Sequence, residues 1–575
     1  MLRIFKYLKP YFPMVILVLL ATFANAIGEL LLPNLMSSII DIGVTNGDTA
    51  YIISVGIKML IVAFLSMLAM IVSSYFSSRV AMSFSRDLRR GVFLKVQSFT
   101  PQQTEKFGTA SLLTRNTDDI NQVQRVAIMG LRMLIRSPIM FIGGIMMAYR
   151  MNQKLSMILL VSMPIIAISI IVIGGKGFPL FKQIQKKTDK INLIFRERLT
   201  GLRIIRAFDK EDYEEERFNV ANQDYVDTAI RVNTLIVTLL PLVSIVMNLT
   251  LVGVVYFAAK LINMDMMKVG ELTAFIQYIS QILFSLVMFS MMFVIVPSAS
   301  ASASRINEVL DEPVIKHKNE LDTPKVANVH LEFNDVCFRY PGAENPAITG
   351  LSFTASAGDR VSIIGGTGSG KSTILKLIEG FYDVESGSIK YNGINIEDLD
   401  EEVFRDEIGF APQRAFLFSG TIAENIRFGR DYITDEDVLE ALKIAQGYDF
   451  VMSLDDGLKS HVAQGGNNFS GGQKQRLAIA RAVAIKPKIY MFDDSFSALD
   501  YKTDRALRTA LSDVTKDAIT LIVAQRVATV VDSDKIIVLD EGHVAGIGTH
   551  EELMKSCDVY LDIVESQGYE KEVIA

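Results

Sequence analysis

Cysteine is nearly absent from this 575-residue sequence, which contains only Cys337 and Cys557. Neither lies at metal-ligand spacing from another Cys or His, which excludes a disulfide scaffold and a zinc ribbon. An excess of basic residues is also missing, because the formal net charge is -6, so nucleic acid is not an expected partner. No cleavable signal peptide is evident, and we expect the long first apolar stretch to remain in the mature protein.

Hydrophobic residues, by contrast, make up 50% of the chain, and its mean hydropathy is +0.30. A helix of about 20 apolar residues can cross a hydrocarbon core of ~30 Å. Buried helices of a large soluble protein would need more flanking amphipathic helices than the sequence provides. We therefore predict six membrane spans, at approximately Phe12–Pro33, Ile52–Phe76, Ile128–Ala148, Leu155–Gly174, Leu235–Ala259 and Leu272–Pro297.

The distribution of Lys and Arg predicts how the spans are oriented. The N-terminus and the segments 79–125 and 176–196 are rich in basic residues, whereas the connection Asp41–Asp48 has none. We expect the termini and both long segments to lie in the cytoplasm, and the long segments to continue the spans as helices. The predicted location is a plasma membrane, the inner membrane of a bacterium.

The second half of the sequence has a different pattern of apolar and polar residues. Residues 1–310 form the predicted transmembrane domain, and 311–328 is polar and suits a linker. From residue 329 to 575, short apolar strands alternate with helical patterns, which is typical of an α/β domain. The predicted fold class is an all-α transmembrane domain with six helices, followed by an α/β domain of the P-loop type.

A glycine-rich loop in the α/β domain matches the phosphate-binding pattern G-x-x-x-x-G-K-[ST]. It follows the β-branched strand Val361–Ile364 and opens an apolar helix. Backbone N–H groups and the helix dipole would surround phosphate, and the lysine would neutralise its charge. The predicted nucleotide-binding residues here are Gly365, Gly366, Thr367, Gly368, Ser369, Gly370, Lys371, Ser372 and Thr373.

Two acidic residues follow an apolar strand downstream of this loop. Ile489–Phe492 ends in Asp493 and Asp494, which is the arrangement of a Walker B motif. Asp493 and the Ser372 hydroxyl are expected to hold Mg²⁺ beside the phosphates. ATP and Mg²⁺ are therefore the predicted cofactors.

Between the two Walker motifs lies a segment that resembles the LSGGQ signature of ABC ATPases. The remaining motifs resemble that family too. Tyr340 resembles the aromatic residue that stacks on adenine. Gln413 resembles the glutamine of the Q-loop, which would also reach Mg²⁺. The signature-like residues are Phe469, Ser470, Gly471, Gly472 and Gln473, and the D-loop-like residues are Ser497, Ala498, Leu499 and Asp500.

The first half of the chain resembles ABC exporters as well. Phe107–Arg115 with Asp118 is similar to the first intracellular loop, and Glu197, Gly201 and Arg206–Phe208 are similar to the second. The resemblance spans nearly the whole chain and implies a half-transporter that dimerises. It also implies two ATP molecules between the ATPase domains, each clasped by the signature of the opposite chain through Ser470 and the neighbouring N–H groups.

Three positions depart from the family's pattern. Asp494 stands where the family has a Glu that orients the attacking water, and Gln525 replaces the switch His. Gln464 replaces a Glu upstream of the signature, with a consequence that the sequence does not define. The first two changes fall on the site built on this chain's own Walker A motif, while its signature is intact. The resemblance therefore implies a degenerate-site subunit of a heterodimeric, multidrug-type bacterial exporter, whose partner retains Glu and His.

The sequence says least about the transported substrate. Polarizable Met side chains in the spans suit varied apolar ligands, although Met in apolar helices commonly fills packing space. Ionisable residues in or near spans can mark a pathway, or can serve at the lipid interface. These candidates are Met247, Met288, Met291, Met292, Glu29, Arg132 and Arg136.

The leading hypothesis for the function is ATP-driven export of amphiphilic drugs or lipids, with the lipid bilayer and a small amphiphile as partners. A peptide exporter and a non-pumping, ATP-gated channel or regulator are the alternatives.

Overall fold

The computed structural model describes residues 3–313 and 329–568. The chain divides into two compact units, Met1–Pro313 and Val314–Ala575. The predicted fold class, an all-α unit with six apolar helices followed by an α/β unit, is confirmed. Residues 314–328 lie outside the described residues, so the linker at 311–328 and the domain bounds stay predictions.

Residues 3–313 are mainly helical, and six helical stretches among them are long and apolar enough to cross a membrane. These six helical stretches contain the six predicted spans. The α-helices are α1 Phe12–Ser38, α2 Thr49–Gln97, α3 Pro101–Phe107, α4 Thr109–Thr114, α5 Ile120–Met129, α6 Ile135–Met151, α7 Gln153–Ser156, α8 Leu159–Ala207, α9 Glu211–Asn263 and α10 Val269–Asp311.

Local sequence explains several helix ends and irregular turns of this unit. Asp48 caps α2 by accepting a hydrogen bond from the N–H of Tyr51, and Thr100 forms a capping box with Gln103 at the start of α3. A single wide π-turn, Gly130–Leu134, separates α5 from α6. The third predicted span, 128–148, is therefore helical but not one regular α-helix.

The helices α1, α6 and α10 pack closely on one another. A Cβ on Gly143 of α6 would lie 2.4 Å from Cδ1 of Leu30, and a Cβ on Gly144 would lie 2.7 Å from Cγ1 of Ile282. Small residues at these positions let neighbouring helices approach in an apolar environment. The hydroxyl of Tyr278 donates to the backbone oxygen of Leu30 at 2.8 Å and adds a polar link between α10 and α1.

The second unit is organised around a ten-stranded mixed sheet, whose order is β5-β4-β1-β2-β12-β11-β3-β10-β9-β6. The strands β11, β3, β10, β9 and β6 run parallel. A small antiparallel pair, β7 and β8, stands apart. The strands are β1 His330–Phe338, β2 Ile348–Ser356, β3 Arg360–Gly365, β4 Ser386–Tyr391, β5 Ile394–Asn395, β6 Ile408–Ala411, β7 Gly420–Thr421, β8 His461–Val462, β9 Ile489–Asp493, β10 Ile519–Val523, β11 Lys535–Asp540 and β12 His543–Gly548.

Two hydrophobic cores cover the two faces of the parallel part of the sheet. Along β9, Tyr490 and Phe492 belong to one core, while Ile489 and Met491 belong to the other. This alternation follows from the two-residue period of a strand. The helices are α11 Lys371–Ile378, α12 Glu401–Asp406, α13 Ile422–Arg427, α14 Asp435–Ile444, α15 Tyr448–Met452, α16 Gly471–Ala484, α17 Tyr501–Val514, α18 Val527–Val530, α19 His550–Ser556 and α20 Asp558–Ser566.

Because parallel strands end at the same edge of a sheet, β3, β9 and β10 bring their carboxyl ends together. The glycine-rich loop follows β3, Asp493 and Asp494 close β9, and Gln525 follows β10. The fold therefore gathers the predicted nucleotide site at one edge.

Candidate functional site

The glycine-rich loop connects β3 directly to α11. Gly370 caps the helix in the left-handed conformation, with φ of 97°, and a Cβ there would lie 2.5 Å from the oxygen of Ala347. Only glycine combines this φ with this close approach. Ser369 is buried, and its Oγ has no hydrogen-bond partner in the described part of the chain. An unsatisfied hydroxyl in this loop suits a bound anion such as phosphate.

Lys371 reaches back across the loop. Its Nζ donates to the backbone oxygens of Gly365 at 3.0 Å and Gly366 at 2.6 Å. Burial lowers the pKa of this lysine, while the nearby carboxylates of Asp494 and Asp493 oppose the shift. A partly desolvated ammonium group at a helix N-terminus is well suited to binding a phosphate.

Ser372 and Asp493 form the pair expected to hold Mg²⁺. The Oγ of Ser372 donates to Oδ1 of Asp493 at 2.7 Å, and burial raises the pKa of Asp493 while this hydrogen bond opposes the rise. No cluster of three His, Cys, Asp or Glu side chains that could hold a metal occurs among residues 3–313 and 329–568. Since Mg²⁺ accepts few protein ligands beside nucleotide phosphates, these residues fit a nucleotide-dependent site.

Asp494 lies between two glutamine side chains. Nε2 of Gln413 donates to Oδ2 of Asp494 at 3.2 Å, and Nε2 of Gln525 donates to the same oxygen at 3.0 Å. The backbone of Asp494 has a left-handed φ of 47°, and its N–H donates to the oxygen of Val523 at 2.8 Å. The structure therefore brings together the three residues predicted from the Walker B, Q-loop and switch positions.

Tyr340 lies beside the first turn of α11. Its hydroxyl is 3.0 Å from Oγ1 of Thr373, and its ring packs edge-on against Tyr382, with 5.3 Å between centroids. The Nζ of Lys376 is 5.7 Å from the centroid of the Tyr340 ring. This position next to the phosphate-binding loop fits the predicted contact with a purine base.

The signature-like segment forms the N-terminus of α16. Oγ of Ser470 accepts from the N–H of Gln473, while Oε1 of Gln473 accepts from the N–H of Ser470, which makes a complete capping box. A Cβ on Gly472 would lie 3.3 Å from the oxygen of Ala498, so the signature and the D-loop are neighbours within this unit. Gln475 of the same helix donates to the oxygen of Pro412 at 3.0 Å and links α16 to the Q-loop.

Phe469 and the D-loop residues complete the predicted set in this unit. The ring of Phe469 packs edge-on against Phe450, with 6.5 Å between centroids. Leu499 is buried, and Asp500 caps α17 by accepting from the N–H and hydroxyl of Thr503. These hydrogen bonds lower the pKa of Asp500. Oγ of Ser497 donates to the oxygen of Asp494 at 2.8 Å, which joins the D-loop to the Walker B strand.

One residue of this site was missed by sequence reasoning. Gln567 follows α20, and its Nε2 donates to the backbone oxygen of Gln525 at 2.8 Å. Its Oε1 accepts from the N–H of Val527, also at 2.8 Å. The chain on both sides of the switch position is thus held by one side chain. No local sequence pattern indicates this role, because the contacts join residues about 40 positions apart.

The candidate substrate residues lie in the first unit. Arg136 forms an ion pair with Glu29, and Arg132 donates to oxygens of the serines on α2. Met292 is buried, and Met247 packs against the core shared by α1, α6 and α10, while Met288 is partly buried. A role of these methionines in a substrate path stays a prediction. The side chain of Met291 lies outside the described residues.

Comparison with known proteins gives two family matches. Residues 15–309 match the family model of the ABC transporter transmembrane region, and residues 348–497 match the family model described as ABC transporter. The structure of a bacterial Atm1-family ABC exporter with ATP bound superimposes with a TM-score of 0.80, covering 97% of this chain and 98% of the other. Because the two sequences are only 24% identical, this similarity shows the fold alone.

Several bacterial sequences are similar over almost their whole length. An uncharacterized ABC transporter ATP-binding protein of Mycobacterium tuberculosis is 39% identical, over 98% of this chain and 97% of its own length. One from Bacillus subtilis is 35% identical, over 99% and 98%. A putative export ATP-binding/permease protein of Rickettsia bellii is 29% identical, over 98% of both chains.

Proposed function

The chain belongs to the ABC transporter family and has the organisation of an exporter half-transporter, and from this premise we propose that it exports amphiphilic drugs or lipids as one half of a heterodimer. In this proposal ATP and Mg²⁺ bind to the residues of the glycine-rich loop with Asp493 and Gln413. The chain's own site is degenerate, and its signature residues complete the competent site of a non-identical partner that retains Glu and His.

The observation that carries the heterodimer is the geometry around Asp494. Its backbone is fixed by the hydrogen bond to Val523, and its Oδ2 already accepts from the amides of Gln413 and Gln525. An Asp side chain is one methylene shorter than Glu, and a fixed backbone cannot compensate for the difference. Because a misplacement of about 1 Å can cost about 10²-fold in rate, hydrolysis at this site should be slow.

Gln525 supports the same conclusion. An amide can contact a γ-phosphate, but it cannot supply a proton or a positive charge as His does. Ser470 and the signature glycines, in contrast, form a regular capped helix N-terminus that suits phosphate. Hydrolysis should thus be slow at this chain's own ATP site, while its signature is intact for the ATP site of the partner. This asymmetry favours pairing with a different half-transporter over pairing with a second copy of this chain.

The membrane arrangement is part of the proposal. The six apolar helices make this a multi-pass membrane protein. We place it in the plasma membrane of a bacterium with its N-terminus and ATPase domain in the cytoplasm, as the basic residues of the long connecting segments favour.

The test compares ATP turnover by the purified chain, alone and co-expressed with a second half-transporter that retains Glu and His. We expect the lone chain to bind ATP and hydrolyse it very slowly, and the complex to turn over rapidly. Fast hydrolysis by the lone chain that survives Asp494→Ala would contradict the heterodimer. Stimulation of the complex by a panel of amphiphiles would then identify its substrates.

A further inference from the structure

An ion pair lies deep within the apolar part of the first unit. Glu29 of α1 follows Gly28, which packs directly against Ser66 near the middle of the apolar stretch Ile52–Phe76 of α2. Glu29 therefore lies within the membrane-spanning part of this unit. NH2 of Arg136 on α6 donates to both of its carboxylate oxygens, at 2.8 and 2.7 Å. An ionisable residue inside a membrane is costly in free energy, and such residues mark functional positions.

The ion pair leaves hydrogen-bonding groups unused. Only NH2 of Arg136 has a partner in the described part of the chain, so NH1 and Nε remain as donors. The side chain of Arg136 is 41% exposed and that of Glu29 27% exposed, so a ligand can reach them.

Gln281 of α10 borders the same place and has an unused acceptor. Its Nε2 donates to the backbone oxygen of Glu29 at 3.4 Å, and this fixes the amide orientation because a carbonyl oxygen can only accept. Its Oε1 is buried without a partner among residues 3–313 and 329–568. A buried acceptor of this kind needs a donor to compensate its lost hydration.

Polar groups elsewhere on α1 behave differently. Oγ1 of Thr22 lies 2.7 Å from Oγ of Ser73, and Asn25 donates to the backbone oxygen of Ser66 at 3.1 Å. These two polar groups of α1 thus have partners on α2. Glu29, Arg136 and Gln281 form a group that we call the α1–α6–α10 site. In the described part of the chain, donors of Arg136 and the acceptor of Gln281 remain without partners.

The unused groups of this site favour an anion over a cation. Arg132 lies one turn before Arg136 and donates to Ser74 O, Ser77 Oγ and Ser78 Oγ at 2.6 to 2.8 Å, about 12 to 18 Å along α2 from Ser66, so its charge lies outside the site. Arg136 therefore supplies the free donors of the site. Both oxygens of the Glu29 carboxylate already accept from Arg136, whose positive charge opposes the approach of a second cation.

We propose that the α1–α6–α10 site binds the anionic head group of an amphiphilic substrate, such as a carboxylate or a phosphate monoester, through the free donors of Arg136. The buried Oε1 of Gln281 would accept from a hydroxyl or N–H group next to the anion. The inference rests on the proposed export function, because it names the substrate class of the same transporter.

The experiment measures saturable binding of radiolabelled laurate to the full chain in phosphatidylcholine nanodiscs without nucleotide, after subtraction of empty nanodiscs. We expect saturable binding that unlabelled laurate displaces and dodecyltrimethylammonium does not. Arg136→Gln should weaken the affinity about tenfold or more, since charge-assisted hydrogen bonds are lost. Arg150→Gln, at the exposed far end of the same helix, should leave it unchanged.

Two further variants test two alternative explanations: that Arg136→Gln misfolds the chain, and that Glu29 rather than Arg136 binds the head group. Glu29→Gln with Arg136→Gln removes both charges with little change of shape and should also lose laurate, whereas Glu29→Gln alone should keep or strengthen binding. Absence of saturable laurate binding to the wild-type chain, unchanged binding by the double variant, or preference for the cation each overturns the proposal. Because no nucleotide is present, failure here is separate from failure of the proposed ATP-driven export.

Discussion

The side-chain amide of Gln525 donates a hydrogen bond to Oδ2 of Asp494 at 3.0 Å. This contact occupies the short carboxylate that stands where a water-orienting base is expected. In the proposed degenerate site the two residues would weaken hydrolysis together, and they should be repaired together.

We predict that Asp494→Glu combined with Gln525→His raises hydrolysis at this chain's own site by about tenfold or more. Each single change should do less, because both groups act on one γ-phosphate and their effects need not add. The measurement is trapping of labelled ATP in a complex whose partner site is inactivated by a Glu→Gln change. Release of product at an unrepaired site as fast as at the partner's site would show that the two substitutions do not matter.

The two hydrogen bonds of Gln567 make a second prediction possible. Gln567→Ala removes both contacts that hold the backbone around Gln525, so the switch side chain should lose its fixed position. In the Asp494→Glu/Gln525→His background we expect kcat at this site to fall severalfold, with little change in KM for ATP. Gln567→Glu should behave like Ala, because a carboxylate can accept from Val527 but cannot donate to the oxygen of Gln525.

Loss of stability is the competing explanation for Gln567. Gln446→Ala is a suitable control, because its side chain makes only a local hydrogen bond to Lys443 at the end of another helix. An equal fall of kcat in both variants, or a change in KM alone, would show that Gln567 has no positioning role.

The motifs that follow strands were the part of the site that sequence could predict. Lys371 and Gln525 follow apolar strands of the parallel sheet, Asp493 ends one, and strand ends of such a sheet meet at one edge. Their relative placement therefore follows from the strand pattern. The six spans could also be predicted from the sequence, because length and hydropathy define a membrane helix.

Contacts between distant segments could not be predicted in this way. Glu29 and Arg136 are 107 positions apart, and Gln567 and Gln525 are 42 apart. Nothing in the local pattern of either pair specifies its partner, because helix packing brings them together. Sequence marked Glu29 and Arg136 singly as candidates, but their pairing required the arrangement of α1 and α6.

A third prediction concerns Ser470. Ser470→Arg should abolish turnover of the heterodimer, because a long cation would occupy the position proposed to contact the partner's nucleotide. ATP should remain bound at this chain's own site, since Lys371 is unchanged. Thr434→Arg is a matched control, because Thr434 is an exposed residue with the same capping-box geometry on α14. Normal transport by Ser470→Arg would show that the signature assignment is wrong.

The last prediction concerns Glu379, which directly follows α11. Its side chain is buried, and burial raises its pKa to about 8, although Arg405 opposes the shift. The folded state thus binds this proton more tightly than the unfolded chain does, whose value is near 4.5. Stability from this group is fully present below about pH 4.5 and is lost as the pH rises through about 8.

Glu379→Gln keeps the shape of the side chain and removes the titration. We expect its Tm to match that of the wild-type chain at about pH 4 and to exceed it by about 2 °C or more at about pH 8.5, because burial no longer opposes ionisation. Thermal unfolding of the full chain across this range measures the difference, and Glu402→Gln, at an exposed position of α12, provides the control. A difference in Tm that does not grow with pH would mean that Glu379 is already ionised in the folded protein, and its side chain would then have to be paired or hydrated.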